Sequence, residues 1–197
     1  MDRPLVTRDQ AIDLADEIFG FKVDSSSAKS AKELDSYDDR NFYLRGMKDG
    51  KEGEFLLKVY NRCFEDRKVI DAIHKIMFCL KDGGVICPLP QKTVTGNYLE
   101  IRNLPVTPGI QEAKKPKLDE KNDLSLCIVC LFTFVPGKTI KDFQDHGHTF
   151  KDELFYRVGQ IVANVASALK VETLVMFLRG ISEVNCSKIV LDFYSCE

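Results

Sequence analysis

Ala11, Leu14, Ala15 and Ile18 recur at spacings of three and four, which puts them on one face of a helix. Thr7 stands at the N-cap position and Gly20 where the helix should stop, so the pattern predicts a helix over 7–19. A polar stretch, 24–30, separates it from three expected strands over 31–34, 41–45 and 54–60. The second has the aromatic and branched content of extended backbone, and the third is the clearest of the three. Residues 47–53 between them contain Asp49-Gly50, a hairpin signal, in a turn that holds Lys48 and Lys51.

A second helix is predicted over 67–80, where Ile70, Ile73, Ile76, Met77 and Leu80 form one apolar face and Gly83-Gly84 ends the run. The stretch 85–104 reads as two short strands turning at Thr95-Gly96-Asn97, and 105–123, rich in proline and charge, as an exposed loop. Residues 124–134 are apolar almost throughout and stop at Val135-Pro136-Gly137, as a buried strand should. A last helix over 150–169 carries Leu154, Phe155, Val158, Ile161, Val162, Val165 and Leu169 along one side. Antiparallel hairpins with an inserted helix give an α+β class and lack the regular repetition of a doubly wound sheet.

Composition narrows the function classes. At 197 residues and 44% hydrophobic, the chain can bury a core without metal or disulfide staples. A formal charge of -2 and a pI near 6.0 give no reason to expect nucleic acid as a partner. The run 158–178 is broken by Gln160, Asn164, Lys170 and Glu172, so no membrane anchor is expected. The seven cysteines are scattered and odd in number, and acidic and basic residues interrupt the N-terminal region. Reduced thiols in the cytoplasm are the expectation. Cys127 and Cys130 form one C-x-x-C, read as strand residues, because zinc would need two more ligands and nothing fixes His146 or His148 nearby.

Two segments point to chemistry. The polar loop Leu34-Asp35-Ser36-Tyr37-Asp38-Asp39-Arg40-Asn41-Phe42 precedes a strand, and Lys58 interrupts the apolar run Phe55 to Tyr60. A loop over phosphates followed by a strand lysine is the arrangement that holds a nucleotide in kinase-like small lobes. Asp71, on the following helix, is the candidate acid to orient that lysine. Each residue also has a plain structural reading: a solvated turn, a lysine on a wet strand face, a solvated helix acid.

The runs Ser36-Tyr37-Asp38-Asp39-Arg40-Asn41-Phe42, Leu57-Lys58-Val59, Leu80-Lys81-Asp82-Gly83 and Leu131-Phe132-Thr133-Phe134-Val135-Pro136-Gly137 resemble the aminoglycoside phosphotransferase-like kinases over about residues 5–170. Within that family the loop and the Thr-Phe-Val-Pro-Gly segment are most similar to the hydroxylysine kinases. The resemblance implies a protein-kinase-like small lobe over 1–135, a hinge and first large-lobe helix over 136–170, and a divergent tail over 171–197. It implies GTP, or ATP, with Mg²⁺, and transfer of the γ-phosphate to the hydroxyl of 5-hydroxy-L-lysine. By the same resemblance Ser36 and Asn41 belong to the phosphate-covering loop, and Lys58 to the α- and β-phosphates. Thr133 and Phe134 would border the base. Asp71 falls near the small-lobe helix acid, although a two-residue shift puts Ile73 there. Asp38 and Asp39 would then lie where phosphates are expected, with only Arg40 or Mg²⁺ to offset them.

The chain departs from the family pattern beyond the last helix. His-x-Asp, the start of the catalytic loop, occurs nowhere in it, and Val190-Leu191-Asp192-Phe193 imitates the metal-aspartate strand only in miniature. Beside the phosphotransfer that the resemblance implies stands an alternative reading, a cut-short, catalytically inactive nucleotide-binding or regulatory fragment of such a kinase. The apolar stripe of the 150–169 helix would then be covered by Leu174, Val175, Phe177, Leu178 and Ile181, or by self-association. Positioned acid–base groups contribute about 10²–10⁴-fold to such reactions. Purified chain supplied with GTP or ATP, Mg²⁺ and 5-hydroxy-L-lysine should therefore show no hydroxylysine-dependent release of nucleoside diphosphate. Steady turnover would contradict the reading and direct attention to Asp192.

Overall fold

The computed structural model describes residues 3–61, 67–107, 124–137, 145, 147 and 152–169. Helix α1 (Arg8–Phe19) begins at Thr7, whose hydroxyl accepts from the Gln10 N–H while the Gln10 side chain accepts from the Thr7 N–H. This reciprocal capping box satisfies two donors that the helix cannot pair internally. Gly20 closes the helix with φ +62°, a left-handed conformation that suits glycine. Ala11, Leu14, Ala15, Ile18 and Phe19 are buried, as the spacing predicts.

Strands β1 (Lys22–Val23), β2 (Ala31–Leu34), β3 (Arg40–Lys48), β4 (Lys51–Val59), β5 (Glu100–Pro105) and β6 (Leu124–Thr133) make one antiparallel sheet. Its order is β1-β3-β4-β6-β5, with β2 also paired to β3. The α+β class follows directly. A short 3-10 turn over Ala28–Ser30 and the two-residue β1 fall in or beside the stretch read as polar loop, and both are too short for a periodic signal. The β3–β4 hairpin is longer than expected because its turn is only Asp49-Gly50, with φ of 51° and 75°. Two successive positive φ angles are the geometry that Asp-Gly favours in a hairpin.

One expected strand is not there. Residues 85–93 contribute a single bridge, Pro90 to Phe132, and the Gln91 N–H donates to the Leu131 carbonyl at 2.8 Å. Pro88 and Pro90 lack the N–H groups a ladder needs, which explains the interruption. The loop segment over 108–123 lies outside the described residues, as does the tail over 170–197.

The chain divides into two compact units. The first contains α1 and all six strands; the second contains nearly all of α2 (Arg67–Asp82), then Gly83–Leu89, and α3 (Asp152–Leu169). Alternation along the strands gives the first unit's sheet two distinct faces. On one face Phe42, Leu44, Phe55, Leu57, Val59, Cys127, Val129 and Leu131 pack with α1 into a single apolar core. Lys48 also joins this side: its ammonium donates to the Phe19 carbonyl at 2.7 Å, so this lysine is a buried cap on the C-terminus of α1 rather than a solvated turn residue. On the other face lie Asn41, Leu56, Lys58, Tyr60, Ile128, Cys130 and Phe132, all buried. Cys127 and Cys130, three residues apart, therefore point to opposite faces of β6 and cannot share one metal ion. Burial in the core pushes the Cys127 thiol up to about 11.

In the second unit α2 buries Ile70, Ile73, Ile76 and Leu80, whereas α3 has no buried residue and exposes Phe155, Tyr156, Val158, Ile161 and Val162. Gly83 lies so close to Ala168 of α3 that an added Cβ would collide with that side chain.

Gly46 offers a direct test of how tightly β1 is held. It opposes Val23, and a Cβ there would collide with the Lys22 carbonyl and lie 2.8 Å from Val23 Cα. Backbone cannot yield as a flexible side chain can. Gly46→Ala should cost about 1–3 kcal/mol, read as a lower midpoint in urea denaturation. An unchanged midpoint would contradict the tight β1–β3 seam.

Candidate functional site

The pairing of β3 with β4 places Asn41 opposite Lys58, and β6 places Cys130 opposite Lys58 on the other side. Lys58 therefore sits in the middle of the sheet rather than on a wet margin, and its side chain is 7% exposed. An ammonium this far from water needs a counter-charge. Asp39 supplies it. The Asp39 carboxylate, 9% exposed, places Oδ2 3.0 Å from Lys58 Nζ, while Oδ1 accepts the Asn61 N–H at 2.9 Å. Asp39 thereby ties the entry of β3 to the exit of β4 and to the lysine between them. The face of Tyr60 completes the surroundings, with Lys58 Nζ 4.8 Å from the ring centroid, within cation–π range.

The ammonium has three donors, and among the described residues only Asp39 pairs with it. Beside it, Asn41 is 2% exposed and its Oδ1 has no hydrogen-bond partner. A buried amide atom left unpaired costs about 1–3 kcal/mol. Spare donors and an orphaned amide oxygen on neighbouring strands form a polar site that the described residues do not complete.

The other residues singled out from the sequence occupy different positions. Ser36 is half-buried in the loop between β2 and β3 and makes no side-chain hydrogen bond among the described residues. Its neighbour Tyr37 is 94% exposed at the loop tip. Thr133 ends β6 opposite Phe55 of β4, and the Phe134 N–H donates to the Glu54 carbonyl at 3.0 Å. The Phe134 ring meets Tyr43 edge-on at 5.0 Å, and the Tyr43 hydroxyl donates to Glu54 at 2.6 Å. Burial and that carboxylate push the tyrosine up to about 12. Phe55 precedes Lys58 by three strand residues, so Thr133 and the lysine stand roughly 10 Å apart along the sheet.

Asp71 belongs to the second unit, in the first turns of α2. Its carboxylate acts on His74 three residues later, opposing the burial that drives that imidazole down to about 4. The acid beside Lys58 is Asp39, which the resemblance alone would place among the phosphates. Arg40, expected to offset it, is engaged elsewhere: it pairs with Glu33 and donates to the Pro4 carbonyl at 2.9 Å. The alternation of β3 was the available signal, since residues 39 and 41 share a face and Asn41 opposes Lys58. The pocket between the C-terminal ends of α2 and α3, lined by Cys79, Asp82, Asn164 and Ser167, contains none of these residues.

A scan against models of known families finds no match. Curated proteins do match: the chain is 25% identical over 173 residues to a hydroxylysine kinase of Xenopus laevis, and 26% identical over 168 residues to one of Danio rerio. These relatives are hydroxylysine kinases. They support the aminoglycoside phosphotransferase-like family read from the loop, lysine and hinge segments. Each match covers 85% of this chain but only 39% and 40% of the hydroxylysine kinases themselves. Among solved structures, an amicoumacin kinase in complex with AMP-PNP, Ca²⁺ and Ami aligns over 67% of this chain and 32% of its own, with a TM-score of 0.44 and 11% identity.

The ion pair makes a stability prediction independent of any ligand. Lys58→Met would strand the Asp39 carboxylate in the sheet and should cost about 3–5 kcal/mol. Adding Asp39→Asn, which keeps an acceptor for the Asn61 N–H, should recover more than half of that loss. Urea denaturation of the two variants checks this, and a double variant no more stable than the single would contradict the pairing.

Proposed function

We propose that this chain is the nucleotide-holding part of a phosphotransferase related to the hydroxylysine kinases. One observation carries the reading: Lys58 is buried and charge-paired in the middle of the sheet with donors to spare, next to the orphaned amide of Asn41. A phosphate oxygen suits Lys58, which donates; the orphaned Oδ1 of Asn41 is an acceptor, so this residue contributes to phosphate only with its amide turned to present the NH₂ to the same space. Ser36, with no side-chain hydrogen bond among the described residues, covers the phosphates from the loop. Thr133, whose side chain alternates to the α1 face with Phe55, borders the base with Phe134 through backbone groups farther along the β4–β6 pair. The relatives' name implies phosphorylation of hydroxylysine; the proposal adds GTP as the donor of the γ-phosphate and the hydroxyl of 5-hydroxy-L-lysine as its acceptor.

Binding and orientation are what this chain's residues contribute. Lys58 offsets phosphate charge, the strands fix its position, and the loop limits access of water from above. Mg²⁺ is expected with the nucleotide, but the described residues do not fit a protein-held ion: no cluster of three His, Cys, Asp or Glu side chains occurs among them. Asp39, the nearest carboxylate, is already engaged by Lys58 and Asn61. A second reading, that the chain binds nucleotide without transferring phosphate, is favoured by the lack of any His-x-Asp in its 197 residues. In phosphoryl transfer such an acid orients the attacking hydroxyl.

Calorimetric titration with GTP and Mg²⁺ at fixed salt tests the site. We expect binding in roughly the high-micromolar to millimolar range. Lys58→Gln should weaken it about 10- to 150-fold, the equivalent of one hydrogen bond to a charged group. Lys51→Ala, at an exposed position on the same strand, should leave affinity unchanged. Lys48 is unsuitable as the control because it caps α1. Equal affinity in all three proteins, or submicromolar binding that survives Lys58→Gln, would place the site elsewhere.

A further inference from the structure

We propose that Asp39 is the positioning residue for the phosphate-binding lysine, so that the loop itself, rather than a helix, supplies the counter-ion that aims Lys58 across the sheet face. The inference rests on the nucleotide reading of Lys58 and adds to it a residue with a distinct role. Three observations carry it. The carboxylate is nearly as buried as the ammonium, and its two oxygens are divided between Lys58 Nζ at 3.0 Å and the Asn61 N–H at 2.9 Å. The second bond fixes Asp39 to the backbone just beyond β4, so the carboxylate cannot swing away with the loop. Finally, Asp39 lies three residues from Ser36, which makes the loop and the lysine one mechanical unit.

A lysine stem has four rotatable carbons, and an unguided ammonium would leave the sheet face for water. Asp39 removes that freedom before a ligand arrives. The ordering is then already complete when phosphate binds, and the ammonium keeps donors that Asp39 does not use. The negative charge of Asp39 also repels phosphate, but the carboxylate is neutralised by the ammonium it holds. The gain from fixing the ammonium in advance is what has to outweigh the charge it shares with Asp39.

A double-mutant cycle on the full 197-residue chain tests this, with GTP and Mg²⁺ as the probe and circular dichroism confirming that each variant is folded. Asp39→Asn should weaken GTP binding roughly fivefold or more, within the range over which contacting residues couple. In a Lys58→Gln background the same substitution should change affinity less than twofold, because Asp39 acts through the lysine. Asp39→Glu, which keeps the charge, should recover part of the lost affinity. Should Asp39→Asn prove unfolded, the comparison of Asp39→Glu in the presence and absence of Lys58→Gln carries the same test. Equal losses in both backgrounds would show a merely structural role and overturn the proposal, and tighter binding by Asp39→Asn would show that the carboxylate competes with phosphate. If Lys58→Gln alone leaves GTP affinity unchanged, the nucleotide reading itself fails. If Lys58→Gln weakens binding and Asp39→Asn does not, only the role of Asp39 is overturned.

Discussion

Placing an ammonium in the middle of a sheet, between two neighbouring strands, is permitted only if a carboxylate reaches it. That requirement links the features of the first unit. Lys58 is flanked by Asn41 on β3 and Cys130 on β6, so neither side offers water. The partner must come from a residue on the same face at a strand end, and Asp39 meets that condition because it precedes β3 and shares the alternation of Asn41. The β2–β3 loop has to return close to the exit of β4 for this to happen. The return of that loop and the burial of the lysine therefore meet in one contact.

The opposite face supplies the rigidity on which this depends. Helix α1, capped at both ends, packs on Phe42, Leu44, Leu57 and Val129, and the hairpin lysine Lys48 reaches back to the Phe19 carbonyl at the end of the helix. A one-residue slip between β3 and β4 would move Phe42 and Leu44 out of that core and carry Asn41 away from Lys58 at once. Core packing thus enforces the register that the polar side needs. The two faces are coupled through the pleat, although their side chains never meet.

Much of this was legible in the residues. Three helices, the Asp49-Gly50 turn and the long apolar strand all announce themselves through periodicity or turn chemistry, and the loop and lysine were identifiable as one chemical unit. Short elements escaped, because two residues in β1 carry no period. The stretch before Thr93 has strand-like composition but two prolines that remove its donors. Asp39 escaped for a different reason: its charge looks unfavourable until the register shows which side chain faces it. Lys48 escaped likewise, since a lysine in a turn-rich segment gives no local sign that a helix end lies beneath it. Tertiary placement, not local propensity, decides the role of both.

The proposed function rests on one claim, that phosphate is held at Lys58. Nuclear magnetic resonance on chain labelled with ¹³C and ¹⁵N in lysine measures this most directly, because the Lys58 Cε and Nζ signals can be followed individually through a GTP·Mg²⁺ titration. The account predicts that they move saturably, with a dissociation constant in roughly the high-micromolar to millimolar range, while the signals of exposed Lys51 stay in place. A Lys58 signal that remains still while other lysines saturate would contradict it.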